Sequence, residues 1–185
     1  MRVLIGLTGS SGHPVAVEFT KRCPAEEKYL VATKWGKAVL TAETGLAVEA
    51  LAPHVKKVFS DDDLFAPFAS GNTALDALVI VPCSVSTLGK IAAGIGDTLL
   101  TRTAQVMLKE RRKLILAIRE APLSSIALEN CLKLSRDGAM IIPLSPPFYT
   151  NPKSLDDIIR DMTDKLISAL GYPAARPWNE KALEP

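Results

Sequence analysis

The fold class of this chain is decided by Ala77-Leu78-Val79-Ile80-Val81 and by the turn that follows it, Pro82-Cys83-Ser84-Val85-Ser86-Thr87. The first stretch is apolar throughout, as is Leu114-Ile115-Leu116-Ala117-Ile118 further along the chain. A strand without polar alternation is buried on both faces, which is typical of a parallel sheet covered by helices. The hydroxyl-rich turn after the first stretch indicates a junction at which a helix begins.

The rest of the chain alternates between short apolar runs and segments with helical patterns. The other predicted strands are Arg2–Leu7, Lys28–Thr33, Val55–Phe59, Lys113–Ile118 and Met140–Pro143. The predicted helices are Val15–Arg22, Trp35–Thr44, Ser86–Ala93, Leu99–Arg111, Ser124–Asp137 and a final helix that begins after Ser154 and stops at Gly171. This alternation predicts one doubly wound α/β domain of about six strands, over residues 1–173, with helices on both faces and an irregular tail at 174–185.

Composition excludes several classes of protein. The 185 residues carry 22 Lys and Arg against 20 Asp and Glu, and a net charge of +2 is too small to favour nucleic acid or an anionic membrane. No apolar run approaches the roughly 20 residues of a membrane helix. Three widely spaced cysteines and two histidines suggest neither a disulfide framework nor a metal site, so we expect a cytoplasmic protein without metal. The acidic stretch Ser60–Asp63 is interpreted as a solvated loop.

Ligands of an open parallel sheet bind at the carboxyl ends of its strands. Four loops should therefore gather small hydroxyl groups, glycines, an Arg-Glu pair and a tyrosine on one edge: Thr8–Gly12, Pro82–Thr87, Arg119–Pro122 and Pro146–Tyr149. The first loop has the general character of a phosphate loop but is neither a G-x-G-x-x-G nor a Walker A motif. A tight structural turn is an equally good interpretation.

Charged candidates also have simpler explanations. Arg102 and Lys109 lie seven residues apart in a helical segment and share one face, which suits either an anion site or a solvated helix. Arg119 and Glu120 end an apolar strand, where charged side chains are unfavourable unless they are paired or functional. Both a functional role and a structural ion pair between them fit this position. Glu43 on its own reads as helix surface, and Tyr149 as a packed aromatic residue.

A series of short motifs follows one order along residues 2 to 170. They are Thr8–Gly12, Ala42-Glu43-Thr44, Ala69-Ser70-Gly71, Pro82-Cys83-Ser84 with Thr87-Leu88, Leu100-Thr101-Arg102, Leu108–Arg112, Arg119–Leu123, Pro147-Phe148-Tyr149 and Ser154–Asp157. In this order and spacing the chain closely resembles the flavin prenyltransferase (UbiX-like) family, which was earlier described as aromatic-acid decarboxylases.

The resemblance implies a flavodoxin-like Rossmann flavoprotein that binds FMN at a subunit interface of a homo-oligomer, expected to be a dodecamer. Such enzymes join a dimethylallyl group from dimethylallyl phosphate to N5 and C6 of reduced FMN, without a metal. They hand the prenylated FMN to a partner decarboxylase of the UbiD type.

Site residues are also implied by the resemblance, position by position. The catalytic residues would be Ser11, Ser70, Glu43 and Glu120. FMN would contact Gly9, Ser10, Ser11, Thr33, Ser84, Thr87 and Arg119. The substrate phosphate would be held by Arg102, Lys109, Arg119, Tyr149 and Lys165, the last of which stands where the family carries an arginine. The chain also departs from the family at His13-Pro14, just after the first loop.

Two alternatives stay open from the sequence. One is an FMN-binding storage, delivery or partner-binding protein without transferase activity. The other is a flavin-dependent decarboxylase that acts on cysteine-containing substrates. The second requires a histidine near the flavin and a substrate-binding Asn/Met motif, whereas His54 is poorly placed and the motif is missing.

Overall fold

A computed structural model describes residues 1–173, and the tail predicted at 174–185 lies outside the described residues. The described chain forms one parallel sheet of six strands: β1 (Arg2–Leu7), β2 (Glu27–Ala32), β3 (Lys57–Ser60), β4 (Ala77–Cys83), β5 (Lys113–Ile118) and β6 (Met140–Pro143). The strand order is β3-β2-β1-β4-β5-β6, which is the doubly wound order of the Rossmann form. The predicted fold class is confirmed.

Six α-helices connect and cover these strands. They are α1 (His13–Arg22), α2 (Lys34–Thr44), α3 (Val85–Ala92), α4 (Leu99–Lys109), α5 (Ser125–Arg136) and α6 (Leu155–Leu170). Short 3₁₀ helices occur at Val48–His54, Pro67–Ala69 and Phe148–Thr150. Within residues 1–173, no helix combines the length and the hydropathy needed to cross a bilayer.

Each face of the sheet has its own apolar core. Val79 and Val81 of β4 face the core that includes α1, α2 and α6, whereas Leu78 and Ile80 face the core that includes α3, α4 and α5. All four side chains are fully buried. Complete burial on both faces explains why β4 has no polar alternation.

Several element boundaries shift by one or two residues from the prediction, and two of these shifts have a clear cause. Helix α1 begins at His13 instead of Val15, because Gly12 takes a left-handed conformation with φ of 115° and Pro14 suits the first helical turn. Strand β3 begins at Lys57 instead of Val55, because the preceding 3₁₀ helix extends to His54. The first backbone hydrogen bond to β2 is then the one from the Lys56 N–H to the Lys28 carbonyl oxygen.

Candidate functional site

A cleft of about 650 Å³ opens where the connections of neighbouring strands β1 and β4 diverge. This is the topological switch point, where doubly wound sheets bind their ligands. Four of the residues predicted to contact FMN line the cleft together: Gly9, Thr33, Ser84 and Thr87. The loops after three different strands therefore meet here.

The first loop is fixed to the strands beside it. The buried Thr8 hydroxyl donates to the Pro82 carbonyl oxygen at 2.7 Å and accepts from the Ser84 backbone N–H at 2.8 Å. The Ser10 hydroxyl donates to the Arg119 carbonyl oxygen at 2.6 Å. These bonds join the ends of β1, β4 and β5 into one rim.

Glycines let helix α2 approach this loop closely. A Cβ at Gly36 would overlap the Leu7 carbonyl oxygen and lie 2.7 Å from its carbon. A Cβ at Gly9 would lie 2.6 Å from the Cβ of Trp35. Because the atoms around Gly36 are backbone, α2 can hold this position only with glycine there.

The N-terminus of α1 is occupied by a carboxylate from α2. Glu43 Oε2 accepts from the backbone N–H of Gly12 at 3.0 Å and of His13 at 2.9 Å. Burial alone would raise the pKa of Glu43, but hydrogen bonds from the Ser11 hydroxyl and from these two amides outweigh it, and the pKa is lowered. Glu43 is therefore more than helix surface: it caps a second helix and stands beside Ser11.

The N-terminus of α4 is also occupied by a carboxylate. Asp61 Oδ1 accepts from the Leu100 backbone N–H at 2.9 Å, and Asp61 is buried. Burial raises the pKa of Asp61, and the bonds from Leu100 and Thr98 offset only part of that rise. The prediction of a solvated acidic loop at Ser60–Asp63 is therefore wrong for Asp61, because the start of α4 draws this residue inward.

Helices α2 and α3 begin in the cleft with neutral caps. The Thr33 hydroxyl accepts from the Gly36 backbone N–H at 2.9 Å, and the Ser84 hydroxyl accepts from that of Thr87 at 3.2 Å. Neither first turn contains an acidic residue. Their positive dipole ends therefore remain available to an anionic group in the cleft.

His13, the first residue of α1, is hydrogen-bonded to the first loop. It is fully buried, and its Nε2 lies 3.0 Å from the Thr8 carbonyl oxygen, so Nε2 carries the proton. Its Nδ1 is buried without a partner among the described residues. Burial lowers the pKa of His13, although the Thr8 carbonyl and the charge of Glu43 act in the opposite direction.

Arg119 and Glu120 follow β5 on the same rim. Both side chains are exposed, and among residues 1–173 no ion pair joins either of them to another residue. Glu120 Oε1 accepts only from the backbone N–H of Ala121, at 3.1 Å. The structural ion pair that was the simpler explanation is therefore not formed among the described residues.

Arg102, Lys109 and Ser70 form a second group along the outer side of α4. Arg102 Nε donates to the Ala69 carbonyl oxygen at 3.1 Å, and Arg112 donates to the carbonyl oxygens of Gly71 and Thr73 at 2.7 Å each. Lys109 pairs with Glu110, and its Nζ would lie 2.8 Å from a Cβ at Gly71. The segment containing Ser70 is thus held against this helix.

Lys109 lies away from the rim of the cleft. Helix α4 starts at the carboxyl edge of the sheet, and Lys109 ends it only four residues before β5 begins at the amino edge. Seven residues of helix separate Arg102 from Lys109 by about 10 Å. Within one subunit, Lys109 therefore lies toward the amino edge of the sheet, whereas Arg102 lies in the first turn of α4, near the carboxyl edge.

Tyr149 and Lys165 both follow β6, and a hydrogen bond links the loop of Tyr149 to the helix of Lys165. Neighbouring Thr150 places its hydroxyl 2.6 Å from Asp161 Oδ2, and Asp161 precedes Lys165 by one helical turn. Residues four apart are adjacent on a helix surface. Lys165 is exposed, so its ammonium faces solvent from this helix.

Several residues of the site were missed from the sequence. Trp35, Lys34 and Lys37 line the cleft from the first turn of α2, and Trp35 is 68% exposed. A tryptophan two residues after the capping Thr33 could have indicated this position. Asp61 carried no such signal, because its role depends on a helix that begins 38 residues later.

Comparison with known proteins agrees with this geometry. Residues 1–167 match the Flavoprotein family model. A protein named flavin prenyltransferase UbiX from Thermoplasma acidophilum is 44% identical over 171 residues, covering 92% of this chain and 95% of that protein. The chain belongs to the UbiX-like flavin prenyltransferase family.

Two solved structures extend the family assignment to three dimensions. AnUbiX (PadA1), in complex with FMN and dimethylallyl pyrophosphate, superposes with a TM-score of 0.93 at 35% identity, covering 96% of this chain and 97% of that one. A dodecameric FMN-dependent UbiX-like decarboxylase from Escherichia coli O157:H7 gives 0.92 at 38% identity, covering 97% and 100%. This UbiX-like chain therefore shares both the fold and the length of its relatives.

Proposed function

We propose that the chain transfers a dimethylallyl group from dimethylallyl phosphate to N5 and C6 of reduced FMN. The observation that carries this proposal is the cleft at the switch point, lined by Gly9, Thr33, Ser84 and Thr87, in a chain 44% identical to a flavin prenyltransferase. A volume of about 650 Å³ lies within the range of small-molecule sites. The product would serve a UbiD-type decarboxylase.

The cleft suits FMN chemically. The two hydroxyl-capped N-termini of α2 and α3 offer uncompensated backbone N–H groups to a phosphate, and Lys34 and Lys37 add positive charge nearby. The exposed ring of Trp35 offers an apolar surface beside Gly9. We assign FMN contacts to Gly9, Ser10, Ser11, Thr33, Ser84, Thr87 and Arg119, within a domain that spans residues 1–173.

Reduced FMN, when bound, supplies the nucleophilic N5 and C6 that accept the dimethylallyl group. The residues of this chain have to hold the donor and stabilise the departing phosphate, whose negative charge grows as the C–O bond breaks. We assign this role to Arg102, Lys109, Arg119, Tyr149 and Lys165. Removing one such oriented charge slows transfer on the order of 10²- to 10³-fold.

Glu120, Ser11, Ser70 and Glu43 complete the proposed machinery. Glu120 is an exposed carboxylate at the carboxyl end of β5, free to accept the proton released at ring closure. Glu43 holds Ser11 at the first loop. Ser70 stands with the cations of α4.

The position of the α4 group supports a site shared between copies. Arg102 and Lys109 are not among the residues that line the cleft, and Lys109 lies toward the opposite edge of the sheet, which favours a site that another copy completes. The dodecameric relative shows that this fold assembles in such numbers. We propose a homo-oligomer, a dodecamer like that relative, in which α4 of one copy completes the site of another.

We also propose a cytoplasmic location. Cys23, Cys83 and Cys131 are all unpaired in the described structure, and free thiols persist in a reducing compartment.

Mass spectrometry of the flavin tests the reaction. Purified protein, reduced FMN and dimethylallyl phosphate should give a flavin carrying one added dimethylallyl group. Glu120→Gln should bind FMN normally but slow the closing of the ring, whereas Glu129→Gln, on the exposed surface of α5, should act as wild type. Tight FMN binding without transfer would instead support the storage or delivery alternative.

Mixed assemblies test the shared site. Lys109→Ala and Glu120→Gln subunits should each be strongly slowed when expressed alone, and coexpressed subunits should recover activity because some sites then receive both intact residues. The exposed Lys133→Ala on α5 is the matched control. Recovery that never exceeds the sum of the two separate variants would refute the proposal.

A further inference from the structure

The loop that carries Tyr149 holds two exposed aromatic rings outside the apolar cores. Phe148 is 73% exposed and Tyr149 is 69% exposed, in the 3₁₀ helix that leads to Asn151. Neither ring belongs to either of the two cores of the described structure. Polar contacts of the loop therefore contribute to fixing the position of Tyr149.

Thr150 provides such a contact. Its hydroxyl oxygen lies 2.6 Å from Asp161 Oδ2 and 2.8 Å from the Pro147 carbonyl oxygen. A hydroxyl carries a single proton and can donate it to only one of these two acceptors at a time. The carboxylate is the stronger acceptor, and 2.6 Å is the typical distance for an O–H···O⁻ bond.

Asp161 is unusual among the acidic residues of α6. It is 7% exposed, whereas Asp156 lies on the surface in the first turn of the same helix. Burying a carboxylate is unfavourable unless hydrogen bonds compensate it. Thr150 supplies one such bond, across eleven residues of sequence, and none of the roles assigned above requires Asp161.

We infer that Asp161 is a positioning residue, which acts through the Thr150 hydroxyl to hold Tyr149 where the phosphate of the donor binds. The inference rests on the proposed function of Tyr149. Asp161 touches neither donor nor flavin in this account. Its loss should therefore weaken binding of the phosphomonoester and leave FMN binding unchanged.

Steady-state kinetics with dimethylallyl phosphate test the inference. Asp161→Ala and Thr150→Val should each raise the donor KM by about tenfold, with kcat and the FMN Kd within about twofold of wild type. Asp161→Asn keeps an acceptor oxygen and Thr150→Ser keeps the hydroxyl, so both should recover most of the donor affinity. Asp156→Asn is the matched control and should change nothing.

The double variant and amide exchange separate this role from general destabilisation. Asp161→Ala with Thr150→Val should be no worse than either change alone, because both remove the same bond. Hydrogen–deuterium exchange of the 147–152 amides should accelerate in Asp161→Ala but not in Asp156→Asn. Unchanged exchange, or a loss of stability with an unchanged donor KM, would overturn the inference.

Amide exchange also separates this inference from the proposed function, because it needs no turnover. If wild type makes no prenylated flavin, the proposed function fails, and the exchange result still decides whether Asp161 holds the loop. If wild type is active and Tyr149→Phe has an unchanged donor KM, the role of Tyr149 fails, and with it the inference.

Discussion

Replacing Gly36 with alanine tests how closely helix α2 must approach the first loop. The added Cβ would overlap the Leu7 carbonyl oxygen and lie 2.7 Å from its carbon, whereas non-bonded carbons settle at about 3.5–4.0 Å. Helix α2 would have to retreat by about 1 Å, and overpacking of this kind costs about 1–3 kcal/mol. The better helix propensity of alanine returns roughly 0.5–1 kcal/mol.

Gly89→Ala in α3 is the matched control. There the nearest atom to the new Cβ is Asn130 Nδ2 at 3.6 Å, which is an ordinary contact, so the change should stabilise the protein by roughly 0.5–1 kcal/mol. Urea unfolding should therefore separate the two variants by about 2 kcal/mol.

Titration with FMN completes the Gly36 experiment. Helix α2 carries Trp35 and Lys37 into the cleft, so its retreat should weaken FMN binding in Gly36→Ala but not in Gly89→Ala. Equal stability of the two variants, or unaltered FMN affinity in Gly36→Ala, would refute the argument that this glycine sets the wall of the cleft.

Three further changes test the rim. Thr8→Val leaves the buried Pro82 carbonyl and Ser84 N–H without their partner and should lower the free energy of unfolding by about 1–3 kcal/mol in urea; an unchanged midpoint would contradict this. Glu43 has a lowered pKa in the folded state, so the stability that its carboxylate contributes is present above about pH 4.5 and is lost as the pH falls further. Glu43→Gln should therefore show a smaller loss of stability in acid. An unchanged dependence of stability on pH below about 4.5 would contradict the proposed cap. The folded state also lowers the pKa of His13, so the unfolded chain binds a proton at this residue first as the pH falls below about 6.5, and the protein becomes less stable. Thermal melts of His13→Phe should not show this loss of stability. If the loss persists in the variant, another group causes it.

Local signals predicted the sheet well. The uninterrupted apolar runs of β4 and β5 are visible in the sequence because each residue of a doubly covered strand has to be buried. The hydroxyl cap Ser84 was likewise recognisable, since a cap acts within three residues of itself. The start of α1 was misjudged because it depends on the backbone conformation of Gly12.

Contacts between distant segments could not be predicted in the same way. Asp61 accepts a hydrogen bond from the Leu100 backbone N–H across 39 residues, and Arg112 donates to the Gly71 carbonyl oxygen across 41 residues. The position of Lys109 likewise depends on more than its spacing from Arg102. Sharing a helix face with Arg102 fixes its direction around the axis, but the length of the helix carries it to the other edge of the sheet.

The acid at the start of α1 has a consequence for selectivity. The carboxylate of Glu43 already binds the first N–H groups of α1, whereas α2 and α3 begin with neutral hydroxyl caps. A dianionic ligand is therefore directed away from α1 and toward α2 and α3. Replacing Glu43 with a neutral side chain would leave the N–H groups of Gly12 and His13 open to a competing anion.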